Sequence, residues 1–135
     1  MLLCDAGVLF GALHVRDAFH DRCAALLDEA EGIVAPSLAL VEVDWLATSR
    51  RAYGATDALL RSVEDGTLQL VDLDLDDVRR ARELMARYAD LPLSLVDASI
   101  VVVAERLNVT TIGTLDRRDF SVIRPAHAPA FTLVP

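Results

Sequence analysis

There is no lysine in these 135 residues; all 13 basic side chains are arginine. That absence excludes a P-loop, which needs its lysine on the phosphates. It also excludes Schiff-base chemistry, which needs a lysine amine. Phosphorelay receivers, which use a lysine as well, are set aside on the same ground. Cysteine is nearly absent: Cys4 and Cys23 make no disulfide framework, which predicts reduced thiols and a cytoplasmic setting. Cys4 reads as a small core residue in a strand. No apolar run approaches the ~18 residues of a membrane span. The start, Met1-Leu2-Leu3-Cys4-Asp5, has no basic region or cleavage site that would read as a signal peptide. Aromatics make up only 5% of the chain, so stacking platforms for single-stranded nucleic acid are scarce. Tyr53 and Trp45 are the two visible, and Trp45 is expected in the core.

What the chain has is acid. Its 21 Asp and Glu give a formal net charge of -8, which argues against a protein that coats nucleic acid generally. It leaves a nuclease open, because carboxylates gathered for a metal count toward that total. The length suits one domain over residues 1–135, and 53% apolar residues supply a sizeable core.

Short apolar runs alternate with helical patterns. Met1 to Cys4 is a strand stopped by Asp5, with a helix from near Val8. A helix opens at Asp17 and ends at Gly32, and Ile33-Val34-Ala35 is a strand closed by Pro36. Ser37 caps a helix carried to about Tyr53, with Leu38, Val41, Trp45 and Leu46 as its apolar stripe. Gly54 breaks that pattern. Thr56 to Glu64 is helical, Leu68 to Val71 a strand, and Asp74 to Tyr88 a charged helix apolar at Leu75, Val78, Ala81, Leu84 and Met85. Its arginines Arg79, Arg80, Arg82 and Arg87 are expected outward. Leu93 to Leu107 is a helix almost without a polar face, hence buried. Val109 to Thr114 is a strand, Arg117 to Phe120 a helical turn, and Val122-Ile123 and Phe131 to Val134 are terminal strands. The alternation predicts a three-layer α/β/α fold with a mainly parallel sheet.

In such sheets the ligand site lies beyond the C-terminal strand ends, near the switch point. Asp5 and Asp116 follow two strands there. Glu42 lies inside the apolar stripe of its helix, where an unpaired charge needs a partner or a metal. Asp97 stands in the first turn of the apolar helix, three residues after Ser94. That spacing allows a capping box, and equally an acid aimed into a site. Four such acids repel one another, so they share protons or hold a divalent cation. Oxygen-only ligands favour Mg²⁺ or Mn²⁺ over zinc. The helix N-termini near Asp97 and Glu42 are expected to help keep those acids ionised. His14, His20 and His127 have no visible orienting partner and read as surface residues.

Asp5 after an N-terminal apolar strand, Glu42 in the second major helix, L-V-D-A-S-I around Asp97 and T-L-D-R-R-D-F around Asp116 together resemble the PIN domain. More narrowly, they resemble the VapC toxins of bacterial VapBC toxin–antitoxin pairs. The resemblance covers essentially the whole chain, and the last two motifs carry most of it. It implies a Mg²⁺- or Mn²⁺-dependent endoribonuclease that works by metal-assisted attack of water on RNA. It implies, too, a tightly bound VapB-type antitoxin as silencer and a homodimer. Residue by residue, Asp5, Glu42, Asp97 and Asp116 match the family's acidic quartet, with Thr114 as a supporting hydroxyl and Asp119 as a possible further acid. Arg117, Arg118, Arg50 and Arg51 are the candidate RNA phosphate contacts. One departure stands out: many members have Ser or Thr after the first Asp, and here it is Ala6. The alternative reading is a catalytically silent PIN-like domain that acts by binding a protein, against which the intact quartet counts. A phosphatase of the haloacid-dehalogenase type also starts with Asp at a strand end. It expects an Asp where Gly7 stands, and a lysine.

Overall fold

A strand buried on both faces needs no polar alternation. In β1 (Leu2–Cys4) every residue is apolar and buried, Leu2 and Cys4 facing one core and Leu3 the other. The computed structural model describes residues 1–135. After β1 come α1 (Ala6–Leu13), α2 (His20–Glu29), β2 (Ile33–Pro36), α3 (Leu38–Ser49), α4 (Ala55–Glu64) and β3 (Leu68–Val71). Then follow α5 (Leu75–Arg87), α6 (Leu95–Leu107), β4 (Thr111–Gly113), α7 (Arg117–Val122) and β5 (Thr132–Val134). The sheet runs β3-β2-β1-β4-β5 and every pairing is parallel. Helices α1, α3 and α4 pack on the face of Leu2, Cys4, Ile33 and Ala35, while α5, α6 and α7 pack on that of Leu3, Val34 and Ile112. This is the expected three-layer α/β/α architecture.

The layout fixes where a site can form. From β1 the chain steps outward to β2 and β3, then returns to lay β4 on the other side of β1. The order reverses between β1 and β4, so a crevice opens beyond their C-terminal ends. The Asp5 N–H donates to the Gly113 carbonyl at 2.9 Å, which ties the two strand ends together at its mouth.

Helix α6 is buried without a break from Ala98 to Ala104, as its apolar sequence predicts. Each large aliphatic side chain sealed there contributes about 2 kcal/mol. The helix ends where Asn108 takes a left-handed φ of 55° and the Val109 N–H bonds back to the Ala104 carbonyl at 2.9 Å. That is a Schellman stop, with asparagine in place of glycine.

Several expectations are corrected. Helix α3 stops at Ser49, short of Tyr53, because Arg51 turns left-handed (φ 56°) and the Ala52 N–H closes on the Ala47 carbonyl at 2.8 Å. The same Schellman geometry is here built on an arginine, which no glycine-based rule flags. Its buried row is Ala39, Val43 and Ala47, small side chains that pack against the α1 side of the core, while Val41 and Trp45 are exposed. Trp45, at 66% exposure, is therefore no core residue. Helix α5 likewise exposes Leu75 and Val78 and buries Asp77, Ala81 and Leu84. Arg80, expected outward, lies inward on Glu105. Asp17 precedes α2 without joining it. Val122 ends α7 and Ile123 is a buried residue after it, so the strand expected there is absent.

Candidate functional site

At the mouth of the β1/β4 crevice lies a cavity of about 520 Å³. Asp5, Glu42, Asp97 and Asp116 all line it, beside Gly7, Phe10, Asp17, Phe19, Leu46, Arg50, Ser94 and Leu115. The four acids come from four separate places in the chain, and the sheet topology brings them together.

Asp5 holds the N-cap position of α1, yet its carboxylate caps nothing. It turns instead to the Thr114 hydroxyl, which donates to Oδ2 at 2.9 Å, and both residues are buried. The Thr114 oxygen in turn accepts the Asp116 N–H at 3.0 Å, so one hydroxyl positions two of the acids. Burial raises the Asp5 pKa, the Thr114 bond opposes the rise, and the charges of Asp97 and Asp116 add to it. Asp97 sits in the first turn of α6 with its own N–H donating to Ser94 Oγ at 3.1 Å. The cap is therefore real, and the acid still lines the cavity. Burial raises the Asp97 pKa as well; bonds with Ser94 oppose that, and Asp116 and Asp119 reinforce it. Glu42 reaches the cavity from the border of the buried row of α3, half-buried, its pKa raised by burial and then by Asp5 and Asp97.

Asp116 caps α7, accepting the Asp119 N–H at 3.3 Å. Asp119 does not line the cavity. Of the arginines, only Arg50 does. Arg117 bonds the Pro135 carbonyl, Arg118 is exposed 3.9 Å from Asp119, and Arg51 is exposed at the end of α3. None of the three histidines lines the cavity. Sequence reasoning missed Asp17 and Phe19. Asp17 receives the Phe19 N–H at Oδ1 (2.9 Å) and Arg50 at Oδ2 (3.3 Å). The local aspartate turn was legible two residues apart; the ion pair, 33 residues apart, was not.

The donor set suits a hard divalent cation: oxygen only, like charges, and Arg50 as the sole basic neighbour, itself engaged by Asp17. As the side chains stand, no three acids converge on one point. Mg²⁺ fits that arrangement, since it is held by one or two carboxylates and keeps several waters.

The PIN domain profile matches residues 2–124. The chain belongs to the PIN domain family. This PIN domain is 29% identical over 135 residues to Ribonuclease VapC26 of Mycobacterium tuberculosis, covering 99% of this chain and all of that one. Its fold is shared with M. tuberculosis VapC20, a sarcin-ricin loop cleaving toxin, with a TM-score of 0.84 at 18% identity over 96% of this chain and 99% of that one. A toxin–antitoxin complex from Klebsiella pneumoniae follows, with a TM-score of 0.70 at 20% identity over 98% and 100%. No helix of this PIN domain is long and apolar enough to cross a membrane.

Proposed function

We propose that this PIN domain is an endoribonuclease, the toxin of a type II toxin–antitoxin pair, that hydrolyses RNA phosphodiesters with Mg²⁺ or Mn²⁺. The observation that carries the reading is Asp5: a buried carboxylate at the strand switch point, faced by like charges and held by one hydroxyl. The cost of keeping such a group charged is met when a cation arrives. Asp5 and Asp97 are the acids to hold it, with Glu42 and Asp116 beside them. Bound there, a divalent ion would acidify water and neutralise charge on the phosphodiester and the leaving oxygen. Thr114 keeps the Asp5 carboxylate from rotating away. Glu42, half-buried on the cavity wall beside Asp5 and Asp97, would accept the proton of the attacking water.

The reading also supplies the partners. A VapB-type antitoxin fits the exposed apolar side chains of the α3–α4 hairpin, Val41, Trp45, Tyr53 and Leu60, which form the kind of surface that takes up an amphipathic partner helix. An arginine from that partner would meet the unpaired acids. The homodimer and the cytoplasmic setting belong to the same reading.

Incubation of the protein with bacterial RNA and Mn²⁺, with and without EDTA, tests the chemistry. Cleavage should require the ion and fall at least about a hundredfold in Asp97→Asn. Cleavage that survives EDTA or that substitution sinks the metal mechanism.

A further inference from the structure

We propose that Phe19 and Arg50 form an RNA-binding rim on the acidic cavity, a stacking face and a phosphate contact, and that Asp17 holds both in place. The inference rests on the ribonuclease reading and deepens it, since an acidic cavity needs something other than its acids to draw in a polyanion.

Three observations carry it. Arg50 is the sole basic side chain lining the cavity. Its side chain is 57% exposed while that of its partner Asp17 is 7% exposed, so the carboxylate is a fixed anchor and the guanidinium its outward end. Asp17 takes one Arg50 nitrogen, the Phe10 ring lies under the guanidinium at 5.5 Å, and the remaining N–H donors point free. A guanidinium braced by a carboxylate and a ring face is pre-ordered, so it loses less freedom on meeting a phosphate. The third observation is Phe19. It lines the same cavity and is 43% exposed, a large apolar ring left in water at the edge of a polar site. The other oxygen of Asp17 fixes its backbone N–H.

One carboxylate therefore holds both elements of the rim, Phe19 two residues away in sequence and Arg50 33 residues away. An exposed ring and a guanidinium on one cavity are the pair that single-stranded nucleic acid uses: a base stacks on the first, and its phosphate meets the second. Asp5, Glu42 and Asp97 are more buried than either, and the scissile phosphate would be cut there. Asp17 is a positioning residue on this account.

Cleavage of bacterial RNA at a mapped site is measured in Mn²⁺ for wild type, Phe19→Ala, Phe19→Trp, Arg50→Met and Asp17→Asn. Binding of the same RNA fragment is followed by fluorescence anisotropy in an Asp97→Asn background. Phe19→Ala should raise KM and weaken binding about tenfold, with kcat within about twofold. Phe19→Trp should restore both. Arg50→Met should weaken binding and flatten its salt dependence by about one phosphate contact. Asp17→Asn should act in the same direction, more weakly than the loss of both elements it holds. Unchanged KM and binding in Phe19→Ala and Arg50→Met overturn the inference and leave the ring to a protein partner. A fall in kcat that Phe19→Trp does not restore also overturns it. Wild type that cleaves no RNA sinks the ribonuclease reading itself, which is a separate outcome.

Discussion

Buried carboxylates occur in two regions of this molecule and are treated in opposite ways. Between α5 and α6, Glu105 meets Arg80 through two bonds, Nε to Oε2 at 2.9 Å and Nη2 to Oε1 at 3.0 Å, and also accepts the Ala126 N–H at 2.8 Å. Asp77, buried in the first turn of α5, pairs with Arg106 at 2.6 Å and completes a reciprocal cap with Asp74. Arginine holds the Glu105 pKa below its ordinary value despite burial. At the β1/β4 crevice, by contrast, Asp5, Glu42 and Asp97 are buried to varying degrees with other acids as their charged neighbours, and all three pKa values rise. The chain has 13 arginines and sends only Arg50 to the cavity, already occupied by Asp17. The chain pairs its structural acids and leaves these unpaired, which is the contrast behind the proposal that positive charge reaches them from outside.

The contrast makes opposite signs of effect for similar substitutions. Asp5→Asn keeps the volume and an acceptor for Thr114 while removing the charge. Cleavage should fall at least about a hundredfold, whereas the unfolding midpoint without metal at pH 7 should rise by about 4 °C, or about 1 kcal/mol. Calorimetry beside an RNA cleavage assay reads both, and a lowered midpoint would break the comparison. Glu105→Ala should do the reverse. It strands Arg80 and the Ala126 N–H between two helices, and since both side chains of the pair keep some exposure the loss should be about 2 kcal/mol. Cleavage per folded molecule should be unchanged, and urea titration with active-site counting separates the two quantities.

The paired region also shows what could be read in advance and what could not. The fold class and the four cavity acids follow from strand ends, the Ser94–Asp97 spacing and the family motifs, because each is a local pattern at a fixed place in a parallel sheet. Of the stripe expected around Glu42, Val41 and Trp45 are exposed, whereas Leu38 and Leu46 are half-buried and Leu46 lines the cavity with it; the fully buried row beside it is Ala39, Val43 and Ala47. Periodicity ranks side chains by hydrophobicity, whereas close packing of α3 selects them by size. Arg80 looked like solvated surface because its partner, Glu105, lies 25 residues away on another helix. Asp17 escaped for the same reason. Long-range ion pairs leave no local signature, so the bridges that stiffen the rim and the α5–α6 layer became visible only with the fold in place.

The smallest effect, and the one most specific to the unpaired acids, lies in the pH dependence. Asp5, Glu42 and Asp97 have folded-state pKa values above their unfolded values, so each favours the folded state fully below the unfolded pKa and loses that contribution as pH rises through the folded one. Without metal, the cavity should therefore gain stability as pH falls from 7 toward the ordinary carboxylate range. Glu105, with its lowered pKa, contributes stability above its unfolded pKa and loses it as pH falls through the lowered value, so its loss comes later in the same titration. Mg²⁺ competes with those protons. At ten times its Kd it should add about 1.4 kcal/mol at pH 7, and a shrinking fraction of that as pH falls toward 5. Asp5→Asn should reduce both the acid-side gain and the response to Mg²⁺, while Glu105→Ala should leave the response to Mg²⁺ intact. Thermal melts across that pH range, with and without the ion, decide it: a Mg²⁺ shift that is flat in pH would mean that the ion binds elsewhere than among the acids whose protons it was expected to displace.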